Sequence, residues 1–227
     1  MNEPIDQLRP LTPLQAHGAL TLMVLQLFVA PYAMREHGSV SSIVTQTGFH
    51  LFLVLIVLGV STHRLQLGLC IALVAVATGL QFIAPQDLGV IRALASLCLV
   101  GCGVIALIMS IRRVLLTRHV TLALLSASAS IYLLAGVVWA IGYQAIEAIT
   151  PGAFASSGAS QPDDAGTLFY FSFVTLTTLG YGDVSPVTPI ARSAAIAEAV
   201  FGQLFLVLLI GRLVSLHIMA TPERTAA

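Results

Sequence analysis

Long apolar runs punctuated by single charges set the pattern of this chain. Residues 10–34, 37–63, 65–86, 93–110 and 119–146 contain no Asp, Glu, Lys or Arg, and the charges in a further apolar segment, 189–218, are Arg192, Glu198 and Arg212. An apolar helix of about 20 residues spans the hydrocarbon of a bilayer. The pattern therefore predicts six transmembrane helices, at about 17–34, 45–62, 66–84, 88–111, 119–147 and 189–218. The fold class expected is an all-α membrane protein. The first run lacks a basic stretch before it and a small-residue cleavage site after it, so it reads as a retained span.

One stretch breaks the pattern. Residues 150–166 are rich in Pro, Gly and Ser and read as an exposed loop. The apolar, aromatic and Thr-rich segment 167–178 after it is too short to cross a membrane. It is expected to be a half-helix that enters the bilayer and turns back. A basic turn at 111–119 separates a four-span block, 17–114, from a second region, 119–219. Residues 1–16 and 220–227 read as short cytoplasmic segments.

Composition narrows the class. Of 227 residues, 57% are hydrophobic and 9% charged, against about 25% charged in an average soluble domain. There is too little polar side chain to cover a water-soluble globule. All the basic residues are Arg, the net charge is +0, and no basic block could track a phosphate backbone, which argues against a nucleic-acid partner. Placing the Arg-rich loops inside puts Arg64, Arg112, Arg113 and Arg118 on the cytoplasmic side, with both termini. The chain then reads as a multi-pass protein of the plasma membrane, and the inner membrane of a prokaryote suits its short tails. No metal triad, nucleophile–base pair or cofactor loop appears, so no enzyme and no cofactor are expected. Cys98 and Cys102 have no ligating partners at metal spacing and read as small packing residues.

The chemistry lies in Thr177-Thr178-Leu179-Gly180-Tyr181-Gly182-Asp183, directly after the half-helix. Six fixed positions of this kind arise by chance on the order of 10⁻⁸ times per site. Non-helical backbone at membrane depth survives only when buried in protein or lining a watery path. A dehydrated cation needs its water oxygens replaced, and consecutive carbonyls can do so only if they point one way. Gly180 and Gly182 can take φ > 0 without steric cost, which aligns the carbonyls of Thr178, Leu179, Gly180, Tyr181 and Gly182 toward an axis. The Thr178 hydroxyl adds an oxygen at the inner end. Leu179 and Tyr181 should point away and pack on the half-helix. One chain supplies one strand of such a ring, so a symmetric homotetramer embedded in lipid is expected.

These residues resemble the potassium channels, whose filter carries a valine where this chain has Leu179. Thr175, Thr177, Thr178, Gly180, Tyr181, Gly182 and Asp183 match the family signature, and the resemblance covers roughly 119–219. It implies an outer helix, a re-entrant pore helix, a selectivity filter and an inner helix, with K⁺ ions passing passively through a tetrameric pore. It also implies filter support from Asp183, Thr177, Tyr170 and Phe171, the last two standing where many members carry aromatics, often Trp. A Phe cannot donate the indole hydrogen bond. Some members place a Glu behind the filter where this chain has Val174, so Asp183 needs another partner. Gly202 lies where the family has its hinge glycine.

Other readings stay open beside these. Glu198 within the last span could tune ion occupancy or be a hydrogen-bonded packing carboxylate. Gln203 could face the central cavity or bond another helix, and Gly202 could be a hinge or a close-packing contact. Asp163 and Asp164 read as caps of the half-helix. The four-span block resembles a voltage sensor in span number alone. A sensing helix needs several Arg in register, and the fourth span has Arg92 and then none until Arg112. The reading is a channel without strong voltage gating; a reduced voltage sensor, or a non-conducting regulatory membrane protein, is the alternative.

Overall fold

The computed structural model of the chain describes residues 64–83, 89–117, 121–157 and 165–220, with residues 18, 20, 21 and 24 besides. Gly18, Leu20, Thr21 and Val24 are helical; the rest of the expected span 17–34, the span 45–62, the two terminal segments and Asp163–Asp164 lie outside the described residues. The described elements are helices α1 (Arg64–Ile83), α2 (Gly89–Leu116) and α3 (Leu122–Ile149), strand β1 (Phe154–Ser156), helix α4 (Ala165–Leu176), strand β2 (Val184–Pro186) and helix α5 (Pro189–Ala220). Three of them, α2, α3 and α5, are long and apolar enough to cross a membrane. The expected spans 66–84, 88–111, 119–147 and 189–218 all coincide with helices. Helices α2 and α5 run on past the expected ends, to Leu116 and Ala220, while α3 is shifted by two to three residues toward its C-terminus; a helix continues past the first charge wherever its end reaches the interface.

Local chemistry fixes the ends. Thr121 caps α3, its hydroxyl accepting the Leu124 N–H at 3.1 Å, the commonest way to satisfy an orphan first-turn donor. Pro151 stops α3, since a proline ring clashes within a helix. At that end the Glu147 carboxylate accepts the N–H groups of Gly152 at 2.6 Å and Phe154 at 3.1 Å. Thr188 caps α5, with Pro189 in the first helical position, where a missing N–H costs nothing.

The buried surface of α3 is built for close approach. Ser126, Ser128 and Ser130 are buried, and each hydroxyl bonds back to the carbonyl four residues earlier, at 2.8 to 3.0 Å. Their polar groups are satisfied within the helix, so their small volume is free to admit a neighbour. Cys102 on α2 is fully buried and carries no disulfide, as a small packing residue should.

The segment after α3 differs from the exposed loop expected. Residues 154–156 pair antiparallel with 184–186, Phe154 opposite Pro186 and Ser156 opposite Val184, so the all-α reading gains a small ribbon. Ala153 and Phe154 are buried. The reason is aromatic: Phe154 meets Tyr143 and Phe171 edge-on, both at 5.3 Å between centroids, an arrangement that favours such rings beyond the area they bury. The ribbon thus ties the end of α3 to the chain leaving the filter motif.

Candidate functional site

Helix α4 is 12 residues long. At 1.5 Å per residue it rises about 18 Å, a little over half of the hydrocarbon core. It ends in a motif that aims the chain. The N–H of Leu179 donates to the Val174 carbonyl at 2.9 Å and that of Thr178 to the Thr175 carbonyl at 3.0 Å, the paired bonds of a Schellman cap. The residue that turns the chain there is left-handed, and glycine is usual. Here it is Thr178, with φ +59°. A side-chain-bearing residue in that region costs about 1–2 kcal/mol, and a β-branched one is a genuine outlier.

The left-handed positions then recur. Thr178, Gly180 and Gly182 have φ of +59°, +58° and +77°, while Leu179 and Tyr181 do not share the sign. Alternation of hand turns successive peptide planes the same way round, which gathers like backbone dipoles on one side of the strand. The left-handed glycines expected at 180 and 182 are therefore present, and Thr178, a β-branched residue from which no such backbone is expected, joins them. Residues 177–182 are all exposed in one chain, with Leu179 at 59% and Tyr181 at 67%. In one chain the Leu179 and Tyr181 side chains are exposed rather than packed away on the half-helix as expected.

The helix behind the strand is held firmly. The Leu176 carbonyl at the end of α4 accepts the Tyr132 hydroxyl of α3 at 2.9 Å. The same oxygen lies 2.5 Å from where a Cβ on Gly202 would stand, so α5 crosses α4 at backbone contact. That contact gives Gly202 a packing reason for being glycine. One turn earlier on both helices, Ser172 meets Glu198. Glu198 is wholly buried, its carboxyl 2.5 Å from the Ser172 hydroxyl and 2.5 Å from that of Tyr143. The Ser172 oxygen is also 2.8 Å from the Gly136 carbonyl of α3. Glu198 is thus a buried, hydrogen-bonded group between the helices.

The supporting residues divide. Tyr170 turns toward the strand, and its hydroxyl bonds the Asp183 side chain. The Asp183 carbonyl accepts the Ser157 N–H at 2.9 Å, fixing the strand's exit to the ribbon. Phe171 faces the other way, packed on Tyr143 at 5.1 Å, and Thr177 bonds back to the Phe173 carbonyl at 2.6 Å. Val174 contributes its carbonyl to the Schellman cap rather than a side chain to Asp183. Gln203 is exposed beside Gly202.

Residues 153–218, which run from the ribbon through α4 and the strand to near the end of α5, match the family model described as an ion channel. The chain is also similar to two pore potassium channel c of rice (Oryza sativa subsp. japonica), at 41% identity over 68 residues. That match covers 30% of this chain and about 15% of the length of the rice protein. No solved structure matches. The likeness to an ion channel and to a potassium channel thus rests on the stretch from the ribbon through α5, and the chain spans only a small part of the length of the relative it matches.

Tyr132, Tyr143, Ser172 and Glu147 had no role in the sequence reading. The buried Glu198 was the signal for two of them, since a carboxyl at membrane depth demands donors.

Proposed function

We propose that the chain forms a homotetrameric, potassium-selective pore that passes K⁺ down its electrochemical gradient. The observation that carries this reading is the alternation of left-handed residues at Thr178, Gly180 and Gly182 on an exposed strand at the end of a half-length helix. Backbone oxygens so disposed replace an ion's hydration shell when four strands meet on an axis. The ions are held by the carbonyls of Thr178, Leu179, Gly180, Tyr181 and Gly182 and by the Thr178 hydroxyl. That hydroxyl is the reason a threonine bears the strain of a position where glycine would be easier. Asp183, Thr177 and Tyr170 support the filter, and Gln203 faces the conduit below it.

Burial supports the assembly. Of the apolar stretch of α3, 61% is buried within the chain, against 6% for α5. An inner helix so bare is covered partly by other copies and partly by lipid. The region 17–114 flanks the pore without sensing voltage strongly, because α2 carries Arg92 at one end and Arg112 and Arg113 at the other. The protein resides in a plasma membrane, the inner membrane in a prokaryote, with both termini cytoplasmic.

Purified protein in liposomes tests the reading. Uptake of Rb⁺ driven by a K⁺ gradient, little Na⁺ uptake, and flux that varies weakly with membrane potential are expected. Equal Na⁺ and K⁺ flux, or none of either from correctly assembled protein, overturns it.

A further inference from the structure

The cluster at Glu198 has one hydrogen too few if the carboxyl is ionised. Ser172 Oγ sits 2.8 Å from the Gly136 carbonyl and 2.5 Å from Glu198 Oε1. A serine hydroxyl owns a single hydrogen, and a carbonyl owns none. If Ser172 donates to Glu198, two lone-pair oxygens face each other at 2.8 Å across the Gly136 contact. If it donates to Gly136, the 2.5 Å contact to Glu198 needs a hydrogen that only the carboxyl can bring. On the other side, Tyr143 sits 2.5 Å from Oε2 and has one hydrogen to give. The arrangement that leaves no contact without a hydrogen runs from Tyr143 to Oε2, from a protonated Oε1 to Ser172, and from Ser172 to Gly136.

The surroundings agree. Glu198 has no exposed surface. The titratable groups facing it from α3 are Tyr143 and Tyr132; α4 brings only Ser172, and among the described residues no cation reaches it. Arg192, on its own helix, is turned to the Pro186 carbonyl. A charge buried at membrane depth without a counter-charge is costly, and a neutral acid is not.

We propose that Glu198 is held as a neutral carboxylic acid and is a positioning residue, donating its proton to Ser172 and thereby joining α5 to α4 and, through Tyr143 and Gly136, to α3. This contact lies one turn from the place where Gly202 meets Leu176, so it fixes the rotation and depth of the helix that carries the filter. The proton assignment stands whether or not the pore conducts; only its consequence for selectivity rests on the function proposed above.

Glu198→Gln separates the two states of the group. An amide accepts from Tyr143 and donates to Ser172, as a neutral acid does, whereas an ionised carboxyl accepts from both and cannot be copied by glutamine. The full-length protein in detergent, examined by infrared difference spectroscopy against E198Q at neutral pH, is expected to show a carboxylic-acid stretch that the variant lacks. Carboxylate bands in its place overturn the assignment. E198Q is expected to keep the thermal midpoint of the parent and its preference for Rb⁺ over Na⁺. E198A should lower the midpoint by on the order of 5 °C and lose the preference. Equal losses in E198Q and E198A overturn the proposal. Should E198A fail to fold, Ser172→Ala serves instead: the acid stretch should move to higher frequency as its acceptor disappears, and an unmoved band counts against the proposal. A parent protein that passes no K⁺ removes the flux comparison and defeats the pore reading, while the spectrum and the midpoints still decide the proton.

Discussion

Two helix crossings in this chain are equally tight at a glycine and differ in what the glycine meets. On α5, a Cβ at Gly202 would stand 2.5 Å from the Leu176 carbonyl; on α2, a Cβ at Gly103 would stand 2.4 Å from a methyl of Val138. The first obstacle is backbone at the end of α4, pinned by the Tyr132 hydroxyl. The second is the tip of a side chain. The same contrast runs through the regions to which they belong. Helices α3, α4 and α5 are joined by bonds with direction, through Tyr132, Tyr143, Ser172 and Glu198. Helix α2 lies on α3 by apolar packing around Ala95, Leu99, Cys102 and Ala106. Its directional tie to α5 is at its end, where the Arg212 guanidinium donates to the carbonyls of Leu115 and, at 2.8 Å, Thr117. Directional bonds fix rotation and depth; packed apolar surfaces leave room to slide.

The largest effect should come from Gly202→Ala. A pinned carbonyl cannot recede, so α5 must move away from α4, as overpacking that costs about 1–3 kcal/mol or more. Loss of Rb⁺ flux together with a lowered thermal midpoint is expected. A variant that conducts normally would show that the crossing is compliant, and the contrast between the two regions would fail. Gly180→Ala should be nearly as damaging to function and much milder to the fold. Its Cβ meets nothing within 4 Å, so the penalty is about 1–2 kcal/mol, that of a left-handed alanine. Preserved thermal unfolding with lost K⁺ preference is the expected pair of results.

Arg212→Gln ranks below both. It removes a charged donor from the last carbonyls of α2, where a cation also suits the helix dipole, and charge-assisted bonds are worth about 1.5–3 kcal/mol before solvent access reduces them. Faster amide exchange confined to the end of α2, with Rb⁺ flux retained, is expected. Exchange that rises equally in α4 would mean that the two regions are not separately held.

What could be read in advance follows the same division. The long helices α2, α3 and α5 were legible because charges are expensive in hydrocarbon and mark where helices end. Gly180 and Gly182 were legible because glycine announces a left-handed backbone. Thr178 was not, since a β-branched residue argues against the conformation it adopts. The cluster of Tyr143, Ser172 and Glu198 was hidden for another reason. Each sits on a helix that is apolar nearly all round, so no amphipathic stripe shows which way it faces, and only the fold brings three positions so far apart in sequence to one point. Phe154 was hidden by its loop, whose Pro, Gly and Ser residues outweighed one buried ring.

The smallest expected effect is the most discriminating. Gly103→Ala places a methyl against Val138, whose side chain can shift, so the loss should stay near about 1 kcal/mol, the ordinary range for a point substitution. The test is a pair of double-mutant cycles read by thermal unfolding. Adding Val138→Ala removes the obstructing methyl and should recover most of what Gly103→Ala loses, giving a favourable coupling between the two positions. The corresponding pair at the other crossing, Gly202→Ala with Leu176→Ala, should recover little, because the atom in the way is a carbonyl oxygen that no substitution at Leu176 removes. Rescue in the first cycle without rescue in the second is what separates packing against a side chain from packing against a pinned backbone. Rescue in both would place the obstacle at Gly202 in the Leu176 side chain, which also lies close, at 3.1 Å, and would return α5 to the same class of contact as α2.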